Sequence, residues 1–226
     1  MSGPSIRATA LPFKPFIYPC VEEVQLSKVD DCFPDKGFLQ VFKERRSIKR
    51  LGSCSLDALS QVLYYAFKPY MISTDDYGMT VYRSASPSAG GRHPIDILVG
   101  VLEGEIRKLY LYQPVSHSLR RLTIPEEKQQ LFFSDVENTL PFGESTLLWF
   151  SIQYMRTASK YTDYMSLVWR DVGAQLCCLQ QAAKYVGLDT CPIGYLAEDT
   201  FGRLFESDAL MSGGGMIVGG GWLNII

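Results

Sequence analysis

The sequence predicts an α+β fold, in which strands and helices mix without a strict alternation. Two observations carry this expectation, and a third agrees with it. The segment from Thr162 to Gly187 places Leu167, Val168, Val172, Leu176, Leu179, Ala182, Ala183 and Val186 at steps of three and four, which is one stripe of a long helix. Apolar runs of strand length stand at Asp96–Leu102, Lys108–Tyr112 and Thr146–Tyr154, rich in β-branched and aromatic residues. No internal repeat organises these pieces.

Each element follows from local chemistry. Five prolines between Pro4 and Pro34 make residues 1–36 an extended arm, either a disordered tail or a strap lying over a partner subunit. A folded domain is expected over 37–226. A short helix is expected at Phe38–Arg46 and a second at Ser55–Phe67, capped by Ser55, whose hydroxyl accepts from a free backbone N–H. Ser73–Gly78 reads as a polar loop. The strands Asp96–Leu102 and Lys108–Tyr112 join through Glu103-Gly104-Glu105. Pro125–Val136 is helical with proline in the first turn. The long helix starts at Thr162 or Asp163, spans roughly 36 Å at about 1.5 Å per residue, and stops at Gly187, which suits a left-handed end. A helix at Glu198–Glu206 and a strand at Met216–Val218 complete the chain.

The 226 residues are 46% hydrophobic and 20% charged, enough for one domain with a sizeable core. A net charge of −2 gives no footprint for nucleic acid. No apolar run reaches the length of a membrane span. The six cysteines form no CxxC pair, so free thiols and a cytoplasmic setting are expected. Cys177 and Cys178 point about 100° apart on a helix, and neither His93 nor His117 has a second ligand at metal spacing. No metal site is expected.

Four stretches carry candidate chemistry. Arg45, Arg46, Ser47, Lys49 and Arg50 offer donors to phosphate or carbonyl oxygens. If extended, Arg45, Ser47 and Lys49 share one side; the same residues also suit a solvated helix end. Pro87-Ser88-Ala89-Gly90-Gly91 is small and rigid, so a flat ligand could approach its backbone, as an ordinary surface loop would also read. In Lys160-Tyr161, a neighbouring ammonium or the positive end of the following helix would lower the phenol pKa and let it take a proton from carbon; the plain alternative is a half-buried helix start. Cys191-Pro192-Ile193-Gly194 reads as a turn that could aim a backbone N–H at a ring nitrogen, or simply end a helix. The triplets Gly213–Gly215 and Gly219–Gly221 do not match GxGxxG; they suit a phosphate nest or a flexible loop.

In this order, the four motifs resemble those of nitroreductase-like flavoenzymes, and most closely the SagB-type (McbC-like) dehydrogenases. ERRSIK is similar to the family's Arg-Arg-Ser motif, YRSASPSAGGRHP to its Pro-Ser-Ala-Gly loop with the upstream Arg83, and SKYTDY to its Lys-Tyr motif. The resemblance covers roughly residues 38–221. It implies a homodimer with FMN at the interface, held by Arg45, Ser47 and Lys49 with Arg46 beside them. Pro87, Ser88, Ala89, Gly90 and Gly91 would line the flavin, and Pro192, Ile193 and Gly194 would sit near its reactive nitrogen. The tail Gly219–Ile226 has no basic residue, leaving the phosphate to the N-terminal cluster, Arg83 or a glycine nest. The implied reaction oxidises a peptide thiazoline or oxazoline to the azole, with Tyr161, assisted by Lys160, as proton acceptor. The other readings are an NAD(P)H-dependent reductase of nitro compounds or quinones, and a non-catalytic flavin-binding subunit of a peptide-modifying complex.

Overall fold

The computed structural model describes residues 3–29 and 36–220. Cys32, Pro34, Gly221 and the end of the tail lie outside the described residues. Strand β1 (Cys20–Gln25) is followed by helices α1 (Phe38–Glu44) and α2 (Leu56–Phe67), then by a hairpin of β2 (Met71–Thr74) and β3 (Thr80–Arg83). Next come β4 (Ile95–Glu103), β5 (Ile106–Gln113), β6 (Ser118–Leu122), α3 (Glu126–Thr139), β7 (Thr146–Ile152) and the short α4 (Met155–Ala158). The long α5 (Met165–Tyr185), β8 (Asp189–Ile193), α6 (Glu198–Phe205) and β9 (Met211–Gly219) close the fold.

Seven strands form one sheet in the order β1-β6-β5-β4-β7-β9-β8, every neighbouring pair antiparallel. The α+β class expected from sequence is what the chain adopts. β7 is an inner strand, buried at every position, and its alternation sorts the core. Leu148, Phe150 and Ile152 face one way, with Leu59, Leu63, Val168, Val172 and Leu179 of α2 and α5. Leu147 and Trp149 face the other way, with Phe132, Val136, Phe201 and Leu204 of α3 and α6. Period two in the strand meets period 3.6 in the helices on both faces.

Helix signals fared well at one end and failed at the other. Ser55 accepts from the Ala58 N–H at 3.2 Å, and Gly187 is left-handed with φ 86°. The start of α5 has no side-chain cap: Tyr164 holds that place. Thr162 is engaged with Ser5, and Asp163 is itself left-handed. Residues 159–164 are therefore a link between α4 and α5, and the helix has 21 residues.

The stretch read as an arm belongs in part to the sheet. β1 pairs with β6, although its faces are mostly exposed and so carry little apolar signal. Upstream, residues 5–11 run beside 159–162 of the same chain: Arg7 N–H donates to the Lys160 carbonyl at 2.8 Å, Leu11 N–H to Ser159 at 2.9 Å, and Thr162 N–H to Ser5 at 2.9 Å.

Gly213–Gly215 and Gly219 make neither a nest nor a loop; Gly220 is a bend just beyond the strand. Met211–Gly219 is an inner strand, buried along almost its whole length. A Cβ on Gly215 would overlap the Leu148 carbonyl and lie 2.6 Å from Trp149 Cε3. Only a hydrogen fits where β9 passes β7. Gly215→Ala is expected to lower the unfolding free energy by about 1–3 kcal/mol, as overpacking does. Urea melts test this, and an unchanged midpoint contradicts the packing described.

Candidate active site

Two separate clusters gather the residues singled out in the sequence. The first lies along the β8 edge. After α1 the backbone extends: Ser47 pairs in parallel with Thr190, and Ile48 N–H donates to the Thr190 carbonyl at 2.9 Å. Ile48 packs on the core, so alternation turns Arg45, Ser47 and Lys49 to the other side. Among the described residues, Arg45, Lys49 and Arg50 form no ion pair. Arg46 instead donates to the carbonyls of Lys43 and Arg45 at 2.8 and 2.7 Å, closing the end of α1.

The segment Cys191–Ile193, expected as a turn, is strand. Pro192 lies opposite Met216 on an edge strand, where its missing N–H leaves no ladder position unfilled. Ile193 is buried in the core, so only its backbone remains for a ligand, while Gly194 beyond it is exposed. Lys49 is close enough to Cys191 to oppose the rise that burial imposes on this thiol.

The second cluster surrounds the small loop. Ser88 Oγ donates to Asp171 Oδ2 at 2.6 Å, and Ala89 N–H donates to Asp171 Oδ1 at 3.2 Å. Ser88 Oγ also accepts from His93 N–H at 2.9 Å. Burial raises the Asp171 carboxyl, and the bonds from Ser88 and Ala89 oppose that rise. A carboxylate from the middle of α5 thus fixes the loop. Gly90 is left-handed with φ 61°, and a Cβ there would lie 2.6 Å from Tyr161 Oη and 3.4 Å from Lys160 Nζ. The phenol and the ammonium therefore face the same small volume over Gly90.

Tyr161 does not titrate as the sequence suggested. Burial pushes its phenol above the ordinary value; Arg92 pulls it down, while Tyr77, Asp171 and Asp75 push it up. The helix that was to help begins only at Met165. The cation that acts on the phenol is Arg92.

A cavity of about 480 Å³ opens beside this loop, walled by Arg83, Ser86, Pro87, Ser88, Gly90 and Gly91 and by the hairpin. Ala89 is not among its walls; its N–H points to Asp171. Ser86 is fully buried beside Cys178, and Arg83 forms no ion pair among the described residues. An unpaired guanidinium at a glycine-floored cavity, with a free basic strand elsewhere, fits a flat ligand that carries a phosphate. Among the described residues no hydrogen bond or ion pair joins the two clusters.

Four participants escaped the sequence reading: Asp75, Tyr77, Arg92 and Asp171. Asp171 alone left a usable signal, as a carboxylate between Val168 and Val172 on an apolar helix face.

This sheet, with a glycine loop, a basic strand and a lysine–tyrosine pair, is an α+β scaffold whose free cations suit a flat, phosphate-bearing ligand. The nitroreductase family profile matches residues 42–220; the chain belongs to the nitroreductase family, whose members are FMN-dependent oxidoreductases. No curated protein sequence matches it significantly. Among solved structures, a candidate nitroreductase from Ralstonia eutropha is similar with TM-score 0.65 and 15% identity, over 94% of this chain and 98% of that one. A candidate nitroreductase from Anabaena variabilis gives TM-score 0.63 and 19% identity over 93% of this chain, which spans only 41% of that protein. The E. coli microcin synthetase McbBCD complex, with truncated pro-MccB17 bound, gives 0.57 and 13% over 88% of this chain and 79% of that one. At these identities the likeness is one of fold. No described helix is long and apolar enough to cross a membrane.

Proposed function

We propose that the chain is a SagB-type, FMN-dependent dehydrogenase that oxidises thiazoline or oxazoline rings in a peptide to azoles. The observation that carries this reading is the Lys160–Tyr161 pair set directly over Gly90, where the flavin-lining loop meets a group able to handle a proton. The similarity to a microcin synthetase complex with a peptide bound supports a peptide substrate and a peptide-modifying assembly. The free thiols of Cys20, Cys54, Cys177, Cys178 and Cys191 support a cytoplasmic setting.

FMN supplies the two-electron acceptor. Arg45, Ser47 and Lys49 hold its phosphate and polar edge, with Arg46 fixing the end of α1 beside them. Arg83, Pro87, Ser88, Gly90 and Gly91 line its ring, with Ala89 anchoring that loop through Asp171. The backbone of Pro192, Ile193 and Gly194 lies on the first cluster's side. Tyr161 takes the proton from the azoline carbon, and Lys160 stands beside the phenol.

In this reading the site is shared within a homodimer, in which the basic strand of one chain meets the loop and Tyr161 of the other. The outer side of α5 supports this: Trp169 is 40% exposed, and Arg170, Gly173 and Cys177 beside it are open. Phe38 and Leu39 on α1 are about 70% exposed, an apolar surface of the kind partners cover.

The test is to purify the protein, identify its cofactor by absorbance and mass, and incubate it in air with an azoline peptide. Loss of two hydrogens from the peptide is expected. Rapid reduction of the flavin by NADPH with nitro or quinone turnover, and no azole, would assign the nitro/quinone reductase activity instead. A colourless protein that binds a cyclase partner would assign the scaffold role.

A further inference from the structure

We propose that Asp75 is the positioning residue for the Lys160–Tyr161 pair; this rests on the reading of that pair as the proton-handling group. Asp75 sits in the turn between β2 and β3. Its Oδ1 accepts from the backbone N–H groups of Tyr77 and Met79, each at 3.0 Å. That leaves the carboxylate unable to rotate. Its Oδ2 faces inward, accepting from Arg92 at 2.5 Å and standing 3.7 Å from Lys160 Nζ. One fixed oxygen therefore gathers both cations that border Tyr161.

The surroundings explain why such an anchor is needed. Lysine carries its charge on a flexible four-carbon stem. Lys160 Nζ lies 5.5 Å from the Tyr77 ring and 5.7 Å from the Tyr161 ring, contacts too diffuse to fix a direction. Asp75 is its only ion-pair partner among the described residues. Arg92 is 3% exposed and leaves its Nε and a second terminal nitrogen without partners, so Asp75 is also its only charge partner there. Asp171, the other carboxylate near Tyr161, is engaged with Ser88 and Ala89.

The experiment uses the FMN-loaded protein. Asp75→Asn keeps an oxygen for Tyr77 and Met79 but removes the charge. kcat and KM for azoline oxidation are measured for Asp75→Asn, Lys160→Met and the double variant, and acylation of Lys160 by an amine-reactive reagent is followed by mass spectrometry. Asp75→Asn is expected to lower kcat about tenfold or more with KM unchanged, as misplacement of a reacting group does. The double variant should be no slower than Lys160→Met, and Lys160 should acylate severalfold faster without Asp75. Losses that multiply in the double variant, or an unchanged acylation rate, overturn the proposal. Should Asp75→Asn not fold because Arg92 is left without a counter-charge, Asp75→Asn with Arg92→Met removes both charges, and Lys160 acylation decides in the same way. If Lys160→Met and Tyr161→Phe oxidise azolines at the parent rate, the catalytic assignment of the pair falls, while acylation of Lys160 still decides the role of Asp75.

Discussion

Tyr161→Phe is expected to lower kcat for azoline oxidation by about 10²–10⁴, the usual contribution of a positioned acid or base. FMN content should stay at the parent level, because among the described residues the phenol oxygen makes no hydrogen bond to the loop, and the ring itself is retained. The pH profile gives the sharper reading. The phenol is raised above 10, first by burial, so it is protonated at neutral pH. A group that must lose its proton before it can accept one then gives a rate that climbs about tenfold per pH unit until the raised pKa is passed. Tyr161→Phe removes that slope along with the rate. A flat profile between neutrality and pH 9 in the parent, or a full rate in the phenylalanine variant, contradicts the assignment.

Acid should unfold the protein through its two histidines. Burial depresses both His93 and His117 from 6.5 to about 4. His93 donates from Nε2 to the Tyr82 carbonyl at 2.9 Å and stacks on the Tyr82 ring at 3.8 Å. His117 lies between Ser60 Oγ and Tyr112 Oη, each at 2.9 Å. Ser60 gives its own proton to the Ser27 carbonyl, so His117 Nε2 donates to Ser60 and Nδ1 accepts from Tyr112. Both rings are neutral when folded. Between pH 6.5 and about 4 the unfolded chain binds more protons, so stability falls as pH falls through that window. Each ring contributes about 3 kcal/mol, fully present above pH 6.5 and lost by about pH 4. Urea unfolding across this range measures it, and His117→Gln should flatten part of the slope. Stability that holds constant from pH 6.5 to 4 would show that neither ring is held neutral.

What the sequence disclosed followed from how local each signal is. The stripe on α5 and the apolar run of β7 were legible because burial on one or two faces fixes residue type at a period. The hairpin β2–β3, and β1 and β6, were not, since β2 is exposed at every position and β6 carries Arg120 and Arg121 in a pattern set by its neighbours. The end of β8 read as a turn because proline and glycine mark turns, and only its place at the sheet edge makes it strand. At the site, the motifs named the right stretches, but the groups that tune them come from far along the chain. Asp171 reaches Ser88, and Asp75 reaches Lys160, contacts that spacing cannot reveal. The shift of Tyr161 was misjudged in sign for the same reason: burial, aided by Tyr77 and two carboxylates, all invisible in the dipeptide, outweighs Arg92.

Whether one flavin site is shared between two chains is tested most directly by mixing crippled copies. One copy carries Arg45→Ala and Lys49→Ala, and the other carries Tyr161→Phe. Each alone should be nearly inactive. If the basic strand of one chain serves the loop and Tyr161 of its partner, mixing them after subunit exchange restores about a quarter of the parent rate, since half the dimers are mixed and each mixed dimer holds one intact site. Azoline oxidation that never rises above that of the separate variants would mean that each chain completes its own site.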